Sequence, residues 1–166
     1  MTLTSNDLGG LPLVSTIPAA LDALVELARR AHPDVQVLDG GPTVRVSDDV
    51  IAIGYSGSST QPDVENTLTR EQLEMMPDRE SYDVYCMVSA WRGDAHRGHR
   101  PDARTVRMRA FELLEGIRAE LAQDSRLGGA VMMATLTTLD VVADQTESGP
   151  VCTIRFQVHI DAYVAA

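Results

Sequence analysis

Residues 151–163 read VCTIRFQVHIDAY, and this stretch decides the fold of the 166-residue chain. Apolar side chains alternate with polar ones along it. The apolar set that would share one face is Cys152, Ile154, Phe156, Val158, Ile160 and Ala162. Such alternation is typical of a β-strand that buries one face and leaves the other polar. At 13 residues the predicted strand is longer than the usual five or six.

A second alternating stretch, SYDVYCMVSAW, covers residues 81–91 and predicts another long strand. Residues 131–142 predict a third, joined to the last strand by a polar connection at 144–149. The short spacing of these last two strands favours an antiparallel hairpin. The shorter candidate strands cover residues 35–38, 44–46 and 50–55, of which 44–46 is the weakest.

Two segments have the spacing of amphipathic helices. The first opens at residues 15–18, STIP, where a hydroxyl can cap free amides and proline fits the first turn, and it ends before Pro33. The second covers residues 104–121. Its predicted buried stripe is Val106, Ala110, Leu113, Leu114, Ile117 and Leu121. The segregated elements predict the α+β class: a mixed, mainly antiparallel sheet with two principal helices packed on it.

The length favours one domain, and we assign it to residues 15–166 with no internal repeat. Residues 1–14 read as a flexible N-terminal arm without the basic and apolar regions of a secretory signal, so we expect synthesis in the cytosol. Residues 56–80 read as a long polar loop, with a possible helical turn at 69–75. A loop of that length is usually functional or mobile.

The composition excludes several classes of protein. All 14 basic residues are arginine, against 24 acidic residues, for a net charge of −10. A chain this acidic is a poor general binder of nucleic acid, because such binding depends on neutralising phosphates. With 44% hydrophobic and 23% charged residues the chain is not disordered, and its apolar runs are too short to cross a membrane.

The charge is unevenly distributed along the chain. Residues 1–91 carry a net −9, residues 92–109 a net +4, and residues 110–166 a net −5. The basic segment contains Arg92, Arg97, Arg100, Arg104, Arg107 and Arg109. Arginines in the first turns of a helix oppose its dipole, so another group is expected to attract them. The segment is either an exposed cationic loop, a contact with an acidic neighbouring copy that builds rings or filaments, or a nucleic-acid contact.

Patterns that would indicate catalysis or metal binding are weak. Residues 54–58, GYSGS, resemble a nucleophile elbow, but a polar loop follows where that motif needs a helix. His96 and His99, with Asp94 and Asp102 nearby, could ligate a metal, but the interspersed arginines repel a cation.

Three further features favour ordinary structural roles. The tripeptide at 92–94, Arg-Gly-Asp, is too short to indicate cell adhesion. His159 lies on the polar face of its strand with no obvious partner in the sequence. Cys86 and Cys152 are expected to be reduced, buried small hydrophobes. We therefore expect a protein without enzymatic activity, cofactor or metal.

The order of elements resembles the tail terminator proteins of long-tailed bacteriophages, which include the lambda-type minor tail protein U. The resemblance spans most of residues 15–164. It is carried by TIPAAL at 16–21, VIAIGY at 50–55, SAWRG at 89–93, the helix at 104–121 and FQVHIDAY at 156–163.

The resemblance implies a structural virion protein that forms a hexameric ring. The ring would cap the finished tail tube and provide the docking surface for the head-side connector. Its partners would be further copies of itself, the tail tube protein and the connector, with genomic DNA passing through the lumen without specific binding. It would assemble in the host bacterial cytoplasm and reside in the virion tail or neck. Two alternatives remain open: another neck or head-closure component, and a small cytosolic enzyme or ligand-binding domain that uses the loop at 92–102.

Overall fold

A long pair of antiparallel strands forms the centre of the protein. We describe a computed structural model over residues 11–12, 14–42, 48–69, 77–93 and 102–165. In chain order the elements are α1 (Ile17–Ala31), β1 (Gln36–Asp39), β2 (Asp49–Ile53), β3 (Val64–Thr69), β4 (Asp78–Trp91), α2 (Ala103–Gln123), a 3-10 turn (Leu127–Gly129), β5 (Met133–Thr146) and β6 (Gly149–Val164).

The described strands form one six-stranded sheet in the order β1-β2-β4-β6-β5. β4 and β6 pair antiparallel over their full shared length, from Asp78 opposite Val164 to Trp91 opposite Val151. β2 and β3 share one edge of β4: β3 pairs with its first half and β2 with its second half. The β1–β2 pair is parallel and the other pairs are antiparallel. The predicted α+β class, with a mixed, mainly antiparallel sheet and two helices, is confirmed.

The core lies between the two helices and one face of the sheet. The alternating apolar residues of β4 and β6 are all buried, and so is the whole predicted stripe of α2. Phe156 of β6 and Tyr82 of β4 are the largest fully buried side chains. The period-2 pattern of the strands and the helical pattern of α2 therefore define the same core.

The two helices approach closely at one glycine. His32, just after α1, lies with Nε2 2.9 Å from the carbonyl oxygen of Leu113 in α2. A Cβ atom on Gly116 would overlap the imidazole of His32. Glycine at this position therefore allows the side chain that follows α1 to reach the backbone of α2.

The start of α1 is attached to the sheet by a buried carboxylate. Glu80 of β4 accepts hydrogen bonds from the Thr16 amide (2.9 Å), the Thr16 hydroxyl (2.8 Å), the Ser15 hydroxyl (2.6 Å) and the Asn66 amide (3.0 Å). The expected hydroxyl cap is supplied by Ser15, which accepts from the Ile17 amide, because Thr16 is engaged with Glu80. A carboxylate at this end also suits the positive pole of the helix dipole.

The prediction of one polar loop over residues 56–80 needs correction. β3 lies within it, and β4 begins at Asp78. The strand was not predicted because its side chains from Glu65 to Thr69 are exposed on the sheet edge, so they need no apolar alternation. Residues 70–75 of the possible helical turn and the candidate strand at 44–46 lie outside the described residues.

The last two strands form the predicted antiparallel hairpin, but their connection is shorter than residues 144–149. β5 continues to Thr146, which pairs with Gly149 at the start of β6. Only Glu147 and Ser148 form the turn. Gly149 has a φ of +122°, which glycine adopts without strain.

Most of the predicted N-terminal arm, residues 1–10, lies outside the described residues. Within the arm, the Pro12 carbonyl accepts a hydrogen bond from the Ala165 amide at 2.9 Å. None of the helices in the described ranges is long and apolar enough to cross a membrane.

Candidate subunit interface

Four of the six predicted interface arginines lie within the described residues, and they cluster at one end of the sheet. Arg92 follows β4, and Arg104, Arg107 and Arg109 lie in the first two turns of α2. Asp102 caps this helix by accepting from the Thr105 amide at 2.8 Å. The other two predicted residues, Arg97 and Arg100, belong to the part of the chain that the structure does not describe.

Arg92 and Arg109 converge on one carboxylate inside the same chain. Asp49 of β2 accepts from Arg92 Nη1 at 2.6 Å and from Arg109 Nε at 2.8 Å. Arg109 also lies 2.9 Å from Glu112 Oε2. These carboxylates are the groups that attract Arg109 against the helix dipole, and sequence periodicity does not show a partner 60 residues away.

The pKa shifts of Asp49 and Arg109 both favour their charged forms. Burial raises the pKa of Asp49, but hydrogen bonds from Arg92 and Arg109 and their positive charges outweigh it, so the pKa lies below its usual value. Hydrogen bonds to Asp49 and Glu112 raise the pKa of Arg109. Arg92 and Arg109 are therefore already engaged by carboxylates of their own chain.

Arg104 and Arg107 differ, because they are exposed and make no ion pair within the described ranges. They flank an apolar surface: Met108 is 55% exposed and Phe111 is half-buried. A groove of about 570 Å³ runs here along α2. It is lined by Arg92, Arg104, Thr105, Met108, Arg109, Phe111, Glu112 and Glu115. We call it the α2 groove. Among the described residues, it combines exposed Arg104, which makes no ion pair there, with exposed Met108 and half-buried Phe111.

A second exposed surface lies at the same end of the sheet, on β5, the last strand in the order. β5 is an edge strand, and from Thr137 to Thr146 its side chains are exposed except for half-buried Asp140. The exposed apolar residues in this part are Leu139, Val141 and Val142. Asp144 and Glu147 near the turn are exposed and make no ion pair with any described residue. Exposed apolar side chains on an unpaired edge strand mark a surface for association.

The outer face of the sheet, away from the helices, neutralises its own charges. Arg155 of β6 pairs with Asp140 of β5, and Arg79 pairs with Asp161 at 3.1 Å. His159, for which the sequence offers no obvious partner, has one in the fold: its Nδ1 lies 2.8 Å from Asp83 Oδ1 on β4. The partner was missed because strand pairing brings it from 76 positions earlier in the chain.

Ser81 completes a Ser–His–Asp arrangement on this outer face, with its Oγ 3.4 Å from His159 Nε2. Asp161 also faces Nε2, at 3.7 Å. A carboxylate on each side of the ring favours a hydrogen-bonded structural network over activation of a nucleophile.

Ser56, the serine of the elbow-like motif, organises its own loop. It is buried, its amide donates to Asp63 Oδ1 at 2.8 Å, and its hydroxyl donates to the Gln61 carbonyl at 3.1 Å. These are turn-stabilising contacts of a kind common for serine.

Both cysteines are free and buried, as predicted. Burial raises the pKa of the Cys86 thiol to about 12. Among the described residues, no three His, Cys, Asp or Glu side chains are placed to hold a metal. The candidate ligands Asp94, His96 and His99 lie outside those residues.

The described residues define an α+β protein that carries, at one end of its sheet, an arginine-lined groove beside α2 and an exposed hairpin with two carboxylates. No protein-family model matches the chain, and no curated protein matches it in sequence. Among solved structures, it is similar to a chain of "Virion of native gene transfer agent (GTA) particle". The TM-score is 0.42 and the identity 11%, over 90% of this chain and 98% of that one. At that level of similarity, function is inferred from the surface itself.

Proposed function

We propose that this protein is a structural component of a phage-like virion that acts by assembling with copies of itself. More specifically, we propose a ring, with six copies as the tail-terminator resemblance implies, that caps the tail tube and docks the head-side connector. The observation that carries the proposal is the α2 groove, where exposed Arg104, which makes no ion pair within the described ranges, lies beside an exposed methionine in a chain of net charge −10.

Assembly by complementary surfaces requires no catalytic group. Arg104 and Arg107 attract a carboxylate surface at long range and fix its position, while burial of Met108 supplies apolar free energy. Because the chain is acidic outside residues 92–109, another copy offers a carboxylate-bearing surface. Two different patches on one subunit make a head-to-tail contact, which closes into a ring when the rotation allows.

The proposed ring acts in the virion tail or neck after assembly in the host cytoplasm. Its other partners would be the tail tube protein and the connector. Genomic DNA would pass through a lumen whose negative charge repels phosphates, so that DNA slides without binding. The proposal includes no enzymatic activity, cofactor or membrane contact.

Charge reversal tests the proposal. We expect Arg104→Glu with Arg107→Glu to weaken self-assembly, measured by size exclusion coupled to light scattering. The matched control is Arg118→Glu with Arg126→Glu, which makes the same charge change at exposed arginines at and beyond the other end of α2. Equal assembly of both double variants would contradict a role for the basic surface.

The position of the protein in assembled particles distinguishes the tail terminator from another neck component. Electron microscopy of particles carrying a labelled copy should place the label between tail tube and connector. A label elsewhere in the neck would keep the virion role and replace the terminator assignment.

A further inference from the structure

We propose that the α2 groove receives the β5–β6 hairpin of a second copy, residues 139–149. This inference rests on the proposed self-assembly and names the segment that enters the groove.

The two surfaces complement each other in charge and polarity. The groove offers exposed Arg104 beside the exposed Met108 and half-buried Phe111. The hairpin offers exposed Asp144 and Glu147 near its turn, followed inward by exposed Leu139, Val141 and Val142. The lining also includes Glu115 and Glu112, of which Glu112 pairs with Arg109. The proposed contact therefore places the hairpin carboxylates at Arg104 and the hairpin's apolar side chains against Met108 and Phe111.

The two surfaces lie at the same end of the sheet. Trp91 of β4 is opposite Val151 of β6, and Val151 is opposite Asp144 of β5. Arg92, which lines the groove, donates its amide to the Pro150 carbonyl at 3.2 Å. Because β5 pairs on the side of β6 away from β4, we assign the groove to the hairpin of a second copy.

The groove lining carries charges of both signs, and Arg104 is its arginine without an ion pair in the described ranges. Asp49 pairs with both Arg92 and Arg109, at 2.6 Å and 2.8 Å, and Arg109 also pairs with Glu112. Arg104 and Arg107, the neighbouring cations without such a partner in the described ranges, remain available for carboxylates from outside. Ordered arginines beside available ones lower the entropy lost when a partner is bound.

The test combines charge reversal with rescue, measured as the concentration at which half of the protein is assembled in light scattering. We expect Asp144→Lys with Glu147→Lys to raise that concentration by at least about tenfold, since like charges would meet at the interface. Joining these changes to Arg104→Glu and Arg107→Glu in one chain should restore assembly. The control, Asp22→Lys with Asp34→Lys, changes two exposed carboxylates on and near α1 and should leave it unaltered.

The outcomes separate this inference from the proposed function. If the arginine variant fails to assemble while the hairpin variant assembles normally, or if the combined chain is not rescued, self-assembly stands and the hairpin is not the occupant. If the wild type stays monomeric and leaves tail tubes uncapped, the proposed function and this inference both fail.

Covalent trapping provides a second readout that does not depend on folding of the lysine variant. A chain with Met108→Cys and Ser148→Cys should form covalent multimers on mild oxidation, because the wild-type cysteines are buried. Asp22→Cys with Ser148→Cys is the control and should stay monomeric on a denaturing gel. Absence of multimers from assembled Met108→Cys/Ser148→Cys protein would overturn the inference.

Discussion

Two carboxylates, Asp49 and Glu80, connect helices to the sheet through groups distant in sequence. Asp49 joins β2 to the start of α2, and Glu80 joins β4 to the start of α1. Periodicity predicted the apolar partners of these elements, since every member of the α2 stripe is buried. It does not predict polar contacts that span 60 or more residues, because those depend on which strands become neighbours.

Asp49→Asn should make the free energy of unfolding less dependent on pH in the acidic range. The depressed pKa of Asp49 means that its ion pairs stabilise the fold above the unfolded pKa of about 3.9 and are lost as pH falls through the folded value. We expect the variant to lose about 1–3 kcal/mol at pH 7, and the difference from wild type to shrink below about pH 4. Urea unfolding at pH 7 and pH 3 measures both values. A difference that is unchanged between the two would contradict the ion-pair account.

Glu80→Ala should be among the most destabilising single substitutions. It leaves the Thr16 amide without an acceptor and removes hydrogen bonds to Ser15 and Asn66, at a cost of about 3 kcal/mol. Asp22→Ala, an exposed carboxylate on α1, is the control and should change the free energy of unfolding by less than about 0.5 kcal/mol. Similar values for the two variants, measured by urea unfolding, would disprove the anchoring role of Glu80.

At the scale of elements, strands with one buried face were predicted closely, whereas β3 and the last part of β5 were not predicted. The alternation in β4 and β6 reflects burial on the helix side. β3 and the last part of β5 lie at edges where both faces meet solvent, so burial leaves no pattern there. The last part of β5 is also a segment that the proposed assembly would use, and a single sequence does not show which surface a second copy covers.

The β5–β6 turn depends on Gly149. A Cβ atom there would overlap the Arg92 carbonyl, and the φ of +122° adds strain for any other residue. We expect Gly149→Ala to cost more than about 2 kcal/mol, because backbone must move. Gly40→Ala, which also has positive φ but open space around it, should cost only about 1 kcal/mol. Equal losses in chemical denaturation would show that the Arg92 contact does not restrict this turn.

At the scale of the whole molecule, the net charge of −10 is the sum of surfaces with different roles. The outer sheet face pairs its own ions, the groove beside α2 leaves arginines available, and the hairpin leaves carboxylates available. The sequence revealed the basic segment. Only the fold shows that Arg92 and Arg109 are already paired, while Arg104 and Arg107 make no ion pair with the residues that the structure describes.

Assembly through these charges should weaken in salt. Exposed charges are screened beyond about 10 Å at 0.1 M ionic strength and about 3 Å at 1 M. We therefore expect slower association and a smaller assembled fraction in 1 M than in 0.1 M sodium chloride, followed by light scattering after dilution. Assembly that is unchanged or enhanced at high salt would assign the contact to apolar burial alone.

The central claim is that copies of this chain associate into a closed ring. The most direct measurement is the molar mass by size exclusion with light scattering over a range of concentrations, with and without purified tail tubes. The account predicts a discrete species near six times the 18.0 kDa chain, free in solution or on tube ends. A mass of 18.0 kDa at every concentration, together with no binding to tubes, would contradict it.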